Sequence, residues 1–121
     1  MADEASSQVP AAPATALAPQ DFCKDPAAFL QVVSEPVRWA VLRELAAGSS
    51  RSVVELSAVA RRQPDVMSRH LKTLRAAGAV VLVDSPDGDG RKQHYAVPEK
   101  FRRMEADKPV IDYGVCVLRF S

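Results

Sequence analysis

Long apolar runs and local cysteine motifs are missing from this sequence of 121 residues, and no secretory leader is expected. No stretch approaches the roughly 18 apolar residues of a membrane-spanning helix. The opening MADEASS is acidic and has neither the basic nor the apolar region of a signal peptide. The two cysteines, Cys23 and Cys116, are too far apart to form a local metal-binding or redox motif. We therefore expect a reduced, cytoplasmic protein.

The groupings that catalysis and cofactor binding require are also missing. No Ser/His/Asp, Cys/His or paired-carboxylate arrangement has a usable local spacing, and there is no glycine-rich phosphate-binding loop. Asp84, Asp87 and Asp89 occur with two glycines, but this segment lacks the full loop and final glutamate of an EF-hand and is better explained as a soluble turn. We expect no enzyme, no metal ion and no cofactor.

The positive charge is concentrated in the middle of the chain. Hydrophobic content of 47% and charged content of 26% are ordinary for one soluble globular domain. Residues 35–104 carry thirteen Lys or Arg against eight Asp or Glu, whereas residues 1–34 and 105–121 are weakly acidic. A basic middle is what a nucleic-acid-binding face needs.

Three segments are expected along the chain. Residues 1–20 are rich in Ala, Pro, Ser and Gln and cannot bury enough apolar area to offset the entropy lost on ordering, so they are predicted to be a disordered tail. Residues 21–104 are predicted to form the folded domain. Residues 105–121 are predicted to form a C-terminal strand that extends a sheet or joins two copies of the chain.

Four helices and a hairpin are predicted in the folded part. N-cap residues, prolines and glycines delimit helices at 26–33, 36–47, 53–61 and 64–77. The third of these helices begins with a capping box made by Ser52 and Glu55. Strands at 79–84 and 92–97 form a hairpin around a glycine-containing turn. Residues 101–104 are expected to form a helical turn, and the apolar run 110–120 a single strand.

The fourth helix has one apolar and one polar face. Met67, Leu71 and Leu74 fall on one line at 100° per residue, while Arg69 and Lys72 point the opposite way. The order helix, turn, exposed helix and hairpin predicts an α+β fold that is mainly α. This is a winged helix-turn-helix with a β-hairpin wing and an additional C-terminal β-strand, which points to binding of DNA.

Three motifs resemble those of the ArsR-type (ArsR/SmtB) winged helix-turn-helix transcriptional regulators. Ser34-Glu35-Pro36-Val37-Arg38, followed by Val41, Leu42 and Leu45, is similar to the opening of the family's motif. Val54-Glu55-Leu56 is similar to its third helix. Ser68-Arg69-His70-Leu71-Lys72-Thr73-Leu74 with Ala77-Gly78-Ala79-Val80 resembles its recognition helix, and Tyr95 matches the aromatic residue that closes the wing. The resemblance implies a homodimeric regulator of double-stranded DNA, most often a repressor.

The sequence departs from that family in two respects. Metal-sensing members carry cysteines in the third helix, and the matching stretch 55–59 has none, so the resemblance implies no thiolate metal site. Members usually end in a long dimerisation helix, whereas this chain ends in the strand-like run 110–120. The usual dimer geometry is therefore not carried over.

Candidate DNA contacts lie in the fourth helix, before it and on the wing. Arg69 has the geometry to reach a guanine edge or a phosphate, and Ser68 and Lys72 are better suited to phosphate. His70 lies on the flank of the apolar side and is expected to be structural. Arg102 and Arg103 are further candidates for contacts with the DNA backbone. The full set predicted to contact DNA is Gln63, Val66, Ser68, Arg69, Lys72, Arg91, Lys92, His94, Arg61 and Arg62.

Apolar residues at both ends of the folded part suggest a homodimer surface. The terminal strand would be an aggregation hazard if exposed, so it must be covered or paired. The first helix offers further apolar side chains. The predicted dimerisation residues are Phe29, Val33, Ile111, Tyr113, Val115 and Val117.

Two alternatives to a simple DNA-binding regulator remain open. A winged-helix module that binds another protein is favoured by Asp65 and the acidic wing tip, since the fold alone does not decide the function. A redox-responsive regulator would require Cys23 and Cys116 to approach each other and form a reversible disulfide.

Overall fold

A computed structural model describes residues 25–86, 88 and 93–120 of the chain. The predicted tail at 1–20, together with Cys23, lies outside these residues. The helices are α1 (Pro26–Ser34), α2 (Pro36–Leu45), α3 (Val53–Ala60) and α4 (Pro64–Ala76), with a short 3-10 helix at Glu99–Phe101. The strands are β1 (Arg51–Ser52), β2 (Val81–Asp84), β3 (Gln93–Ala96), β4 (Arg102–Glu105), β5 (Lys108–Asp112) and β6 (Val117–Arg119).

The helices begin where the capping signals predict. The Asp25 carboxylate accepts a hydrogen bond from the Ala28 N–H at 3.1 Å, which caps α1. At α3 the capping box is complete, since Ser52 Oγ accepts from the Glu55 N–H at 3.2 Å and Glu55 Oε1 accepts from the Ser52 N–H at 2.9 Å. These side chains satisfy backbone N–H groups that the helix itself leaves without partners.

The four helices share one apolar core. The predicted stripe of α4 is fully buried, with Met67, Leu71 and Leu74 all at 0% exposure. It packs with Val41, Leu42 and Leu45 of α2 and with Leu56 of α3. Burial of an amphipathic helix on one side leaves its opposite side facing solvent, so the core determines which residues α4 presents.

The wing is a three-stranded sheet in the order β1-β3-β2. The predicted hairpin is confirmed, with Val81 opposite Ala96 and Asp84 opposite Gln93. Its first strand starts at Val81 and not at residue 79, because Ala79 and Val80 are buried in the core directly after the helix. The two-residue strand β1 is not among the predicted elements, and its second residue, Ser52, is also the first residue of the α3 capping box.

The prediction of a single strand over 110–120 is wrong. Strands β4, β5 and β6 form a second antiparallel sheet in that order. A turn separates β5 from β6, with Gly114 at a φ of +87° and its N–H donating to Asp112 Oδ1 at 2.9 Å. The expected helical turn at 101–104 is also wrong, because the 3-10 helix stops at Phe101 and Arg102 begins β4.

The inner face of the second sheet belongs to the same core as the helices. Tyr113 is fully buried, and its ring centroid lies 4.9 Å from that of Phe29 and 5.0 Å from that of Phe101. The Tyr113 hydroxyl donates a 2.8 Å hydrogen bond to the Ala79 carbonyl, between α4 and the wing. The C-terminal sheet is therefore joined to the helices by packing and by a buried hydrogen bond.

This packing corrects most of the predicted dimerisation set. Phe29 and Val33 are 2% exposed, and Ile111 and Tyr113 are fully buried inside the chain's own core. Their apolar area is covered by the protein itself, so these four side chains are not available to a second copy. Val115 and Val117 are half-buried, and whether they contact a second copy stays a prediction.

The outer face of the second sheet carries a network of charges. Arg103 pairs with Glu105 and, at 3.3 Å, with Asp112, while Arg119 Nε donates to Glu105 Oε1 at 2.9 Å. By strand register, Val110 lies on this face between Arg103 and Arg119, and it is only 2% exposed. The paired charges and the apolar stems of the arginines therefore cover the Val110 side chain on this face.

The buried phenol of Tyr113 leads to a prediction for stability at high pH. Burial, and to a smaller extent Cys116, raise the pKa of Tyr113 far above its ordinary value of 10.0. Above pH 10 the unfolded chain loses this proton while the native protein keeps it, so the free energy of unfolding falls as pH rises. We expect the free energy of unfolding, measured in urea, to fall between pH 9 and pH 11 in both proteins. The fall should be about 1.4 kcal/mol smaller in Tyr113→Phe than in the unsubstituted protein. An equal fall in the free energy of unfolding of both proteins would contradict the assignment of this pH dependence to Tyr113.

Candidate nucleic-acid interface

The exposed side of α4 brings together most of the side chains predicted to contact DNA. Ser68, Arg69 and Lys72 are exposed on the helix, Gln63 is exposed at its N-cap position, and Val66 is half-buried in its first turn. Arg69 and Lys72 lie opposite the buried stripe, Ser68 lies on its flank, and Gln63 and Val66 stand at the start of the helix. The result is a polar and basic ridge on a helix whose other side is buried in the core.

Asp65 has a local role at the start of this ridge. Its Oδ1 accepts a 2.9 Å hydrogen bond from the Val66 N–H, in the first turn of α4. A carboxylate at this end of a helix also interacts favourably with the helix dipole. This contact supports the interpretation of Asp65 as a helix-stabilising residue.

The turn from α3 to α4 places two exposed arginines beside the ridge. Arg61 ends α3 in the left-handed conformation, with φ +56° and ψ +50°. The Arg62 N–H donates to the Ser57 carbonyl at 3.0 Å, and its guanidinium donates to the carbonyls of Ala60 and Arg61 at 3.3 and 3.1 Å. Arg62 thus caps the C-terminus of α3, and its guanidinium remains exposed on the same turn.

The structure contradicts the prediction that His94 contacts DNA from the wing. His94 is 9% exposed, and its Nδ1 lies 3.2 Å from Ser50 Oγ. It sits in the central strand β3, opposite Ser52 of β1 and Val83 of β2. The unpredicted strand β1 is the reason, since it turns a position at the edge of a hairpin into the interior of a sheet. Arg91 and Lys92, the other wing candidates, lie outside the described residues.

Arg102 and Arg103 are engaged within the chain. Arg102 Nε donates to the Val97 carbonyl at 3.2 Å. Its guanidinium lies against Gly48, where an added Cβ would be 2.5 Å from Arg102 Nη1. Arg103 belongs to the charged network on the outer face of the C-terminal sheet. Both arginines therefore have structural contacts away from the ridge.

His70 is a structural residue, as expected, and its partners come from another part of the chain. Arg38 Nη1 lies 3.1 Å from His70 Nδ1, and Arg38 Nε donates to the Val32 carbonyl at 2.6 Å. Glu35 accepts from the Arg38 N–H at 2.9 Å and lies 3.9 Å from His70 Nδ1. Sequence reasoning used Arg38 only as part of a motif and missed this contact with α4.

Glu35 is ionised within this group. Partial burial opposes its negative charge, but the hydrogen bonds from the Arg38 and Val37 N–H groups and the positive charge of Arg38 outweigh that effect. Together they hold the pKa of Glu35 below its ordinary value. The carboxylate is therefore available to cap α2 and to face His70 at neutral pH.

Over 25–86, 88 and 93–120, no three His, Cys, Asp or Glu side chains are grouped so that they could hold a metal ion. In the same part of the chain, none of the helices is long and apolar enough to cross a membrane. Cys116 is half-buried, and its proposed redox partner Cys23 lies outside the described residues.

Comparison with known proteins identifies the class of domain. Residues 33–83 match a family model described as a helix-turn-helix domain. A solved structure described as a possible transcriptional regulator for arsenical resistance is 29% identical, with a TM-score of 0.51, over 60% of this chain and 70% of that one. HlyU from Vibrio cholerae N16961 shares the fold at 24% identity and a TM-score of 0.52, over 61% of this chain and 76% of its own. No curated protein sequence matches the chain significantly.

The chain therefore carries a winged helix-turn-helix domain, the class of domain found in DNA-binding transcriptional regulators. Within that class, the motifs around Pro36, Glu55 and His70 resemble those of ArsR-type regulators, in agreement with the similarity to the structure described for arsenical resistance. The matched segment begins in the last turn of α1 and ends in strand β2. It contains the ridge on α4 but not the C-terminal sheet.

Proposed function

We propose that the protein is a sequence-specific regulator of transcription, a repressor that binds double-stranded DNA as a homodimer and catalyses no reaction. The observation that carries this proposal is the ridge on α4. Its side chains are exposed along a helix whose other side is fully buried. A helix fits the major groove of B-DNA with its N-terminal residues against the base edges.

The side chains of the ridge suit different parts of the duplex. Arg69 is the candidate for reading a guanine, because a guanidinium can donate two hydrogen bonds to O6 and N7. Ser68 and Lys72 suit phosphates, which determine affinity and register more than sequence. Gln63 and Val66, at the start of the helix, are proposed to meet an adenine and a thymine methyl group.

The flanking contacts complete the proposal. Arg61 and Arg62 lie on the turn just before α4 and are exposed, so they are proposed to contact the backbone. Arg91 and Lys92 are proposed to reach the flanking backbone or the minor groove, on the basis of the sequence alone. His94 is left out because it is buried in the sheet.

Selection of bound duplexes from a random pool tests this function directly. A homodimer of this class is expected to enrich two related half-sites whose centres lie about 10 base pairs apart, or a multiple of that spacing. Failure to enrich any sequence, together with no binding to random duplex at low salt, would contradict the proposal. That result would instead support the alternative of a winged helix that binds protein.

Lys72→Ala provides a second test, through the salt dependence of binding. If each Lys72 neutralises one phosphate, the slope of log K against log salt becomes shallower by about 0.9 per protomer, or about 1.8 per dimer. Affinity for selected and random duplexes is expected to fall by the same factor. Fluorescence anisotropy over a salt series measures both quantities.

Lys108→Ala is the matched control for this measurement. Lys108 is exposed on strand β5, outside the ridge, and its replacement removes the same charge. We expect its salt slope to match that of the unsubstituted protein. Equal slopes for Lys72→Ala and Lys108→Ala would show that Lys72 does not contact phosphate.

A further inference from the structure

The contact between Arg38 and His70 links α4, which carries the ridge, to the start of α2. Arg38 lies in the first turn of α2, and His70 follows Arg69 directly on α4. Both side chains are partly buried where they meet, at a distance of 3.1 Å. The contact therefore stands next to the residue proposed to read DNA, on the flank between the buried stripe and the exposed ridge.

The chemistry of the pair determines which atom donates. An arginine guanidinium has only donors, so His70 Nδ1 must act as the acceptor. An imidazole that accepts at Nδ1 carries its proton on Nε2 and is neutral. The pair is thus a directional hydrogen bond from a charged donor to a neutral ring.

Arg38 is itself held at several points. Its Nε donates to the Val32 carbonyl in the last turns of α1, and its backbone N–H donates to Glu35. The planar guanidinium has a fixed orientation once two of its nitrogens are engaged. Arg38 therefore presents Nη1 to α4 from a position set by α1 and by the start of α2.

The apolar stripe of α4 cannot supply this kind of constraint alone. Contacts of Met67, Leu71 and Leu74 in the core are non-directional. They therefore limit the distance of α4 from the core more strongly than its rotation about its own axis. A hydrogen bond at the flank resists rotation about the helix axis. A recognition side chain must be held to within about 0.5 Å and 10–20° for productive contact.

We propose that Arg38 is a positioning residue for the recognition helix, acting through His70 to set the rotation of α4 and so the direction of Arg69. This inference rests on the proposed function, because it assumes that α4 reads DNA. It adds a residue outside the DNA-facing surface to those that determine sequence specificity. The predicted signature is a loss of discrimination between sequences.

Four single variants separate positioning from other roles. Arg38→Met and His70→Leu each remove one partner of the hydrogen bond with little change in volume. Arg38→Lys keeps the charge but cannot bond Val32 and His70 at once. His70→Asn keeps an acceptor at the place of Nδ1. The measured quantity is the ratio of affinities for the selected duplex and for a scrambled duplex, at a temperature where circular dichroism shows each variant folded.

The expected results differ between the variants. Arg38→Met, Arg38→Lys and His70→Leu are each expected to lower the ratio about tenfold, since small misplacements of a contact group can cost one to two orders of magnitude. His70→Asn is expected to stay within about threefold of the unsubstituted protein. The double variant Arg38→Met/His70→Leu is expected to lose no more than either single variant, because both remove the same contact.

Other outcomes would overturn the proposal. A ratio that changes less than about threefold in Arg38→Met and His70→Leu means that the contact does not position α4. Losses that multiply in the double variant mean that the two residues act independently. If the unsubstituted protein prefers the selected duplex and every variant keeps that preference, only this inference is overturned. A protein with no preference at the outset overturns the proposed function and this inference with it.

Discussion

Replacing Arg69 with alanine is expected to weaken binding to the selected duplex by at least about thirtyfold. A bidentate contact between arginine and guanine contributes about 1–3 kcal/mol, and a homodimer makes it once in each half-site. The two together correspond to about 2–6 kcal/mol, which is a factor of about thirty or more. Arg69 is exposed on α4, so its removal should leave the fold unchanged. Equilibrium binding by fluorescence anisotropy measures the effect.

Arg75→Ala is the matched control for that prediction. Arg75 is exposed on the same helix, and its replacement removes the same charge. It lies in the last turn, however, whereas bases are contacted from the N-terminal part of a recognition helix. We expect Arg75→Ala to bind the selected duplex within about fivefold of the unsubstituted protein. Equal losses in the two variants would mean that Arg69 contributes only its charge.

Replacing Tyr113 with alanine is expected to lower the free energy of unfolding by about 3–5 kcal/mol, the range found when large buried aromatic residues are truncated. The ring contacts Phe29 of α1 and Phe101 beside β4, and its hydroxyl satisfies the Ala79 carbonyl. One substitution therefore removes the packing that joins the C-terminal sheet to the helices. Urea unfolding followed by circular dichroism measures the change.

Two further variants locate the origin of this effect. Tyr113→Phe keeps the ring and loses only the hydroxyl, so we expect a smaller loss of about 1–3 kcal/mol from the unsatisfied Ala79 carbonyl. Met104→Ala removes a side chain of β4 that is 61% exposed, and it should change stability by less than about 0.5 kcal/mol. A small effect of Tyr113→Ala would show that the C-terminal sheet is an appendage and not part of the core.

Local signals in the sequence predicted the helices and the ridge well. The capping box at Ser52 and Glu55 and the proline at residue 64 define helix starts through contacts within a few residues. The stripe of Met67, Leu71 and Leu74 depends only on helical spacing, and it is fully buried. These features need no knowledge of the rest of the chain, and for that reason the direction of the ridge was predictable.

Pairing between distant strands was not predictable in the same way. Strand β1 has two residues and no pattern of its own, and it exists because Arg51 and Ser52 lie beside β3. The same pairing buries His94, which sequence reasoning had placed on an exposed wing. The run 110–120 has apolar residues on both sides of a turn, so its spacing alone did not reveal where one strand ends and the next begins.

Burial by the chain's own core also explains the wrong dimerisation residues. Phe29 and Tyr113 are apolar residues at opposite ends of the folded part, and such residues are equally consistent with a core or with an interface. The structure packs them against each other, with ring centroids 4.9 Å apart. The contact of Arg38 with His70 was missed for a related reason, since the two residues lie 32 positions apart and neither carries a local signal for the other.

The central claim is that α4 reads DNA through Arg69, and parallel selections from one random duplex pool test it most directly. The unsubstituted protein should enrich paired half-sites with a guanine at one symmetric position. Arg69→Ala should enrich the same half-sites and lose the preference at that position alone. The account would be contradicted if Arg69→Ala enriched a sequence that keeps the guanine preference. It would also be contradicted if the unsubstituted protein enriched no sequence.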